Sequence, residues 1–168
     1  MEITIRKGGE ADLPAILGVL DSAVTWLNAR GITAQWGTEA FSARPKAVRL
    51  VEDTVAAGDP WIAEIDGVPA GTMTLTPFPG EYVQPAGEPE VYVRLLATDA
   101  RFHGRGVGAA LLAHAEAETR RQEVSLLRVD CFAGSGGRLV DYYESQGFTR
   151  TTPFTVGDWP GQILEKRL

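Results

Sequence analysis

The apolar residues near the start of the chain change period once within thirty positions. "EITIR" (Glu2–Arg6) alternates apolar and polar residues as a half-buried strand does. From Leu13 on, Ile16, Leu17, Leu20, Val24 and Leu27 recur at helical spacing and form one stripe. Asp12 stands as a candidate cap with Pro14 in the first turn, and Gly31 supplies the stop. A second helix is predicted from Thr38 or Pro45 to Ala57, closed by Gly58. The period then returns to two. "WIAEIDGVPAGTMTLTP" reads as two strands joined at Asp66-Gly67, the dipeptide most favoured in tight hairpins.

Pro77 to Pro89 holds four prolines and two glycines and reads as a long loop, after which "VYVRLLA" resumes a strand. Val107, Leu111, Leu112, Ala115 and Thr119 mark the inner face of a further helix, which closes at "ETRRQE" with arginines where the helix dipole favours them. "SLLRVDCF" is the next strand. "AGSGGRLVDYYESQGFTR" gives a short helix with a Gly-Phe exit, and "QILEKRL" a terminal strand. The expected order is β, α, α, β, β, loop, β, α, β, α, β, β, with no internal repeat.

Composition narrows the class without changing that order. With 168 residues, 44% hydrophobic and 23% charged, the chain is expected to form one domain over residues 1–168 with a proper core. The apolar runs fall short of a membrane span, and the N-terminus lacks the pattern of a signal peptide, so a cytoplasmic protein is expected. A net charge of −6 argues against a nucleic-acid partner. One cysteine and two histidines provide no zinc-type ligand set, and no metal is expected.

Gly104, Gly106 and Gly108 crowd the entrance of the helix that begins near Val107, although glycine weakens helices. A strand, a glycine turn and a helix N-terminus together make an anion site. Unpaired amides converge there, and the absence of side chains lets a diphosphate reach the backbone. Arg101, His103 and Arg105 stand nearby as donors. "GRGVGA" also fits a dinucleotide fingerprint, with Asp130 near the position of a ribose-binding acid. Against it, six residues separate the strand from Gly104 and only some forty follow the next strand, too few for a six-stranded nucleotide fold. No Gly-Lys-Ser/Thr follows, which excludes a P-loop.

"RFHGRGVGAALL" resembles the acyl-CoA pyrophosphate loop of the GNAT N-acetyltransferase superfamily, Gln/Arg-x-x-Gly-x-Gly/Ala, here Arg101, Gly104 and Gly106. "DYYESQGF" is similar to the family's later motif, Tyr-Glu-x-x-Gly-Phe, here Tyr143, Glu144, Gly147 and Phe148. The resemblance covers essentially the whole chain. It implies the acyl-CoA N-acyltransferase fold, a mixed α/β (α+β) arrangement: a mostly antiparallel sheet with a splayed parallel pair, flanked by helices. It also implies acetyl-CoA in the V-shaped gap, pantetheine on the backbone of Leu96, Ala97 and Thr98, and the diphosphate on the amides of His103, Gly104, Arg105, Gly106, Val107, Gly108 and Ala109. The chain departs from the pattern at His103 for arginine, Ala100 for proline and Gly136 for asparagine.

Acetyl transfer to an amine needs a neutral nitrogen, whereas an alkyl ammonium has a pKa of about 10.4. The resemblance puts the general base at Glu90, eleven residues before Arg101, with Glu88 and Glu81 as further carboxylates. It makes Tyr143 the general acid for the departing thiolate. Adjacent Tyr142 would point roughly 100° away on the same helix. A backbone amide within Arg94 to Leu96 would polarise the thioester. Cys131 as an acyl carrier lacks a motif-placed histidine, and His114 reads as helix surface.

The acceptor side is expected from the first helices and the loop before the fourth strand. Trp26, Trp36, Phe78 and Tyr82 would line it, and Glu81, Glu88 and Glu90 would favour a cation. Packing or a homodimer contact is the competing role for the tryptophans. The leading reading is an acetyl-CoA-dependent N-acetyltransferase acting on a small-molecule or peptide amine. The alternative is a non-catalytic acyl-CoA-binding regulatory protein of the same fold, with a dinucleotide binder third.

Overall fold

The hairpin predicted at Asp66-Gly67 forms as β2 (Asp59–Ile65) and β3 (Val68–Thr76). Asp66 at φ 52° and Gly67 at φ 76° make the left-handed pair whose twist matches the flanking strands. β1 (Ile3–Lys7) pairs antiparallel with β2, and β4 (Val91–Thr98) pairs antiparallel with β3. In this computed structural model, which describes residues 2–168, these four strands continue through β5 (Leu126–Phe132), β7 (Trp159–Arg167) and β6 (Thr149–Val156) into one seven-stranded sheet. The order is β1-β2-β3-β4-β5-β7-β6, and only β4 and β5 run parallel.

Helices cover both faces. α1 (Leu13–Ala29) and α2 (Pro45–Ala57) bury Ile16, Val19, Leu20, Val51 and Val55 against Ile62 and Ala97. α3 (Val107–Arg121) and α4 (Arg138–Ser145) bury Val107, Leu111, Ala115, Val140 and Tyr143 against Ala63, Met73, Val91 and Val129 on the opposite face. Pro45 opens α2, the later of the two expected starts, because Phe41–Ala43 forms a separate 3-10 turn. Asp12 turns back to accept the Gly9 amide at 2.9 Å and pairs with Arg6 instead of capping α1 forward. Among the described residues no helix is long and apolar enough to cross a membrane.

Two irregularities shape the centre of the sheet. The parallel pairing of β4 with β5 stops after Val91↔Leu127 and Tyr92↔Arg128, although both strands continue. On its other edge β4 carries a bulge, where Thr72 faces Ala97 and Thr74 faces Arg94. Leu95 sits there at φ 55°, costly for a branched residue, and two β4 residues oppose one on β3. The extra residue bends β4 away from β5. It also shifts the alternation, so that Leu95 packs with the α1/α2 face and Leu96 with the α3/α4 face.

The loop from 77 to 90 is tied down despite its prolines. Val83 is buried with Tyr92 and Ile163, and Thr76 Oγ1 donates to the Phe78 carbonyl at 2.6 Å. Arg128 Nη2 donates to the Gln84 carbonyl at 3.0 Å, and Glu90 accepts the Ala86 amide at 2.9 Å.

Candidate active site

Where the strands splay, two adjoining cavities open, with Leu96, Phe132 and Tyr143 in the wall of both. The first, of about 460 Å³, is lined by Leu96, Ala97 and Thr98 of β4, by His103, Gly104 and the stretch from Gly106 to Ala109, and by Arg138, Tyr142 and Tyr143 of α4. Gly104 (φ 79°) and Gly106 (φ 80°) hold left-handed conformations that turn the chain into α3. The first amides of α3 have no partner within the helix, and beside them stands an approach free of side chains. Gly108 gives room of another kind: a Cβ there would come 2.8 Å from the Tyr142 hydroxyl, which would have to shift.

The basic residues of the loop separate in the fold. Arg101 is not part of the cavity lining and is committed to Asp99, Nε to Oδ1 at 3.0 Å and Nη2 to Oδ2 at 3.2 Å. The Arg105 guanidinium lies 5.7 Å over the Phe102 ring, and its side chain is likewise not part of the lining. His103 does line the cavity, its ring 4.3 Å from that of Trp26. Trp26, expected on the acceptor side, therefore belongs to the wall of the loop cavity, held between His103 and Arg30, whose guanidinium lies 3.8 Å over the indole. Arg138 was not anticipated; it opens α4 after the glycine turn 134–137 and brings a cation to the loop-side cavity.

The second cavity, of about 830 Å³, lies between β4, β5, α2 and the loop before β4. Trp36, Glu81 and Tyr82 line it, with Tyr82 63% exposed at the rim. Tyr143 lines both cavities, as do Trp36, Leu96 and Phe132, whereas Tyr142 lines only the first. The Tyr143 ring is fixed edge-on between Tyr142 at 5.5 Å and Phe148 at 5.8 Å, while its hydroxyl makes no hydrogen bond among the described residues. Burial, reinforced by Cys131, Tyr142 and Asp130, pushes this phenol far above its ordinary range. It stays protonated and able to donate at any physiological pH.

Glu90 sits elsewhere. It is buried at the closed end of the gap and lines neither cavity; Oε1 takes Arg128 Nε at 2.7 Å, and Oε2 takes Arg128 Nη2 at 3.1 Å and the Ala86 amide. This does not fit the expectation that Glu90 takes a proton from an acceptor amine, since both oxygens already brace the loop. Glu88 pairs with Arg167 at 2.6 Å. The carboxylate that lines the second cavity beside the gap is Asp130 of β5. Its Oδ2 accepts the Tyr92 hydroxyl at 2.6 Å, and Oδ1 has no hydrogen-bond partner among the described residues. Burial raises its pKa against the opposing pull of Tyr92 and Arg94.

Cys131 lines the same cavity, but burial pushes its thiol up to about 12, which leaves no thiolate to act as a nucleophile. His114 is half-buried against Trp61, ring centroids 4.1 Å apart, and burial lowers its pKa, so it is packing and not open helix surface.

A mixed sheet parted at one parallel pair, with a glycine-lined helix start at one cavity and charged side chains on an apolar wall at the other, is the architecture the chain presents. Residues 20–148 match the acetyltransferase (GNAT) family, and the chain belongs to it. As a member it is an acetyl-CoA-dependent N-acetyltransferase. It is 28% identical over 142 residues to the uncharacterised N-acetyltransferase YesJ of Bacillus subtilis, covering 82% of this chain and 76% of that protein. A GNAT-family acetyltransferase from Listeria monocytogenes superposes with a TM-score of 0.77 at 21% identity over 100% of this chain and 96% of that one. The PaiA N-acetyltransferase of Thermoplasma acidophilum, solved in complex with coenzyme A, superposes with a TM-score of 0.73 at 19% identity over the whole of both chains.

Proposed function

We propose that the protein moves an acetyl group directly from acetyl-CoA to a primary amine across the β4–β5 gap, with Tyr143 as general acid and Asp130 as general base. The observation that carries this reading is Tyr143, buried where the two cavities meet. The amides at the start of α3 hold the diphosphate, and Leu96 to Thr98 take pantetheine along the edge of β4 that β5 leaves unpaired. The bound cosubstrate supplies an activated acetyl carbonyl; the protein supplies proximity and proton transfer.

At pH 7 an ammonium with a pKa of about 10.4 is neutral in only about one molecule in 2,500, so a base gains much of the barrier. Asp130 offers the open Oδ1 to that proton, directly or through one water, and its raised pKa makes it a better acceptor than a solvated carboxylate. The amine nitrogen bonds to the acetyl carbon, the carbon–sulfur bond breaks as Tyr143 protonates the departing sulfur, and the second proton lost by the new amide nitrogen restores the Tyr143 phenol, directly or through water, leaving the first proton on Asp130 for release to solvent.

The test is thiol release from acetyl-CoA by the purified protein in the presence of primary amines, with the acetylated product identified by mass. Amine-dependent release with one thiol per acetylated amine supports direct transfer. Tight acetyl-CoA binding with no release for any amine would return the chain to the non-catalytic acyl-CoA-binding alternative.

A further inference from the structure

Along the face of the sheet that carries α1 and α2, Glu90 at the end of the loop and Tyr92 and Arg94 of β4 stand beside Arg128 and Asp130 of β5. The first two rungs are closed: Glu90 holds Arg128, and Tyr92 holds Asp130. Continuing the register that pairs Tyr92 with Arg128 by two residues would bring Arg94 opposite Asp130, but the strands part before that point. Arg94 and Asp130 are therefore left on the two banks of the gap, too far apart to form an ion pair with each other, and both line the acceptor cavity.

Arg94 is the unusual member. Its guanidinium is half-buried and makes no hydrogen bond or ion pair with any described residue. Burial pulls its pKa down, with only the more distant Asp130 and Tyr92 opposing. It is backed by the loop before β4, where a Cβ at Gly80 would meet its Nη2 at 3.5 Å. A desolvated guanidinium without an acceptor is costly unless a ligand supplies one, and its planar fork matches a carboxylate or another oxyanion. The rest of the wall agrees. Arg44, Lys46, Arg49 and Arg94 line this cavity against Asp53, Glu81 and Asp130, four positive groups to three negative. Arg44 keeps a buried Nε with no acceptor. Glu88 and Glu90, which would have favoured a simple cation, are spent on Arg167 and Arg128.

We propose that the acceptor is a small molecule bearing both a primary amine and an anionic group, an aminocarboxylate or its phosphonate equivalent, with the amine directed to Asp130 and the anion held by Arg94. The inference rests on the direct-transfer reading above. An ammonium alone would satisfy Asp130 and leave Arg94 bare, whereas a zwitterion complements both banks of the gap at once. Arg94 is then a specificity-determining residue, one that acts on the choice of acceptor and not on the acetyl group.

The experiment measures thiol release at saturating acetyl-CoA for matched acceptors: a panel of α-amino acids, their carboxamides and their decarboxylated amines, for example leucine, leucinamide and isoamylamine. The wild type is expected to prefer the best acid over its uncharged partners by about tenfold or more in kcat/KM, the scale of one charge-assisted pair. Arg94→Gln should collapse that ratio towards one, with Arg94→Lys in between, while acetyl-CoA titration reports that the fold is intact. Uncharged amines used as well as the acids by the wild type, or a ratio unmoved by Arg94→Gln, would overturn the proposal and leave direct transfer standing. No release with any acceptor would overturn direct transfer itself, and this inference with it.

Discussion

Replacing Tyr143 by phenylalanine removes one oxygen and leaves the ring in its edge-on contacts with Tyr142 and Phe148. The hydroxyl has no hydrogen-bond partner among the described residues to strand, so the stability change should stay within about 1 kcal/mol. The catalytic cost is set by the leaving group. A thiol with a pKa near 8.5 departs at pH 7 about 1.5 units from its protonated state, and at about 1.36 kcal/mol per decade this is worth about 2 kcal/mol. The loss in kcat at pH 7 is therefore expected near the low end of the range for general acids, about thirtyfold to a hundredfold. It should narrow as the pH passes about 8.5, where the thiolate no longer needs a proton. Steady-state thiol release across that pH range measures the loss, and calorimetric titration with acetyl-CoA measures binding, which should hardly change. Equal turnover at every pH would refute the assignment. A parallel fall in acetyl-CoA affinity would reduce Tyr143 to a packing residue.

Asp130→Asn is expected to lower kcat/KM at neutral pH by about a hundredfold and to remove its acid limb; an unchanged profile would move the base elsewhere. The same variant has a stability signature. The folded pKa of Asp130 lies above its unfolded value of 3.8, so in that window the unfolded chain binds fewer protons and stability falls as pH rises. The asparagine oxygen can still accept the Tyr92 hydroxyl, so the variant should melt at or above the wild-type temperature at pH 7 to 8, with the difference closing below pH 4. Glu90→Gln leaves the buried Arg128 guanidinium without a counter-charge, a loss of about 3–5 kcal/mol that should lower the melting temperature on the order of 10 °C. A variant that melts normally and shifts the pH optimum upward would restore Glu90 as the base. Gly108→Ala pushes the start of α3 against the Tyr142 hydroxyl and should weaken acetyl-CoA binding by about tenfold with little change in melting, as read by titration and calorimetry.

Much of this arrangement is visible in the chain because it rests on local chemistry. Asp66-Gly67 dictates a hairpin by turn geometry alone, and the stripe from Leu13 to Leu27 needs no partner to declare a helix. Gly104 and Gly106 signal a backbone that must turn left-handed before α3. What escapes is what depends on distant residues or on a hidden edge. β6 is expected by its place in the order, but its bounds carry no signal: it holds Pro153 and five consecutive exposed positions, without the alternation that marks a strand. The bulge at Leu95 has no glycine to announce it. Glu90 looks like an available carboxylate until Arg128, 38 positions later, is folded onto it. Trp26 shares no local pattern with His103, and only the helix-to-loop packing brings them together. One signal was available: Glu90, Tyr92 and Arg94 recur at period two into one apolar strand from the residue just before it, and Arg128 and Asp130 do so within another. Polar residues on the same beat of two strands buried on both sides mark a charged ladder within the sheet.

The most direct measurement is calorimetric titration of the purified protein with acetyl-CoA, with coenzyme A and NADH run beside it. If the glycines before α3 and the parted β4–β5 pair form the acyl-CoA site, acetyl-CoA and coenzyme A bind one to one with micromolar affinity and NADH gives no heat. Binding of NADH, or no binding of acetyl-CoA, would contradict the site on which every catalytic assignment here depends.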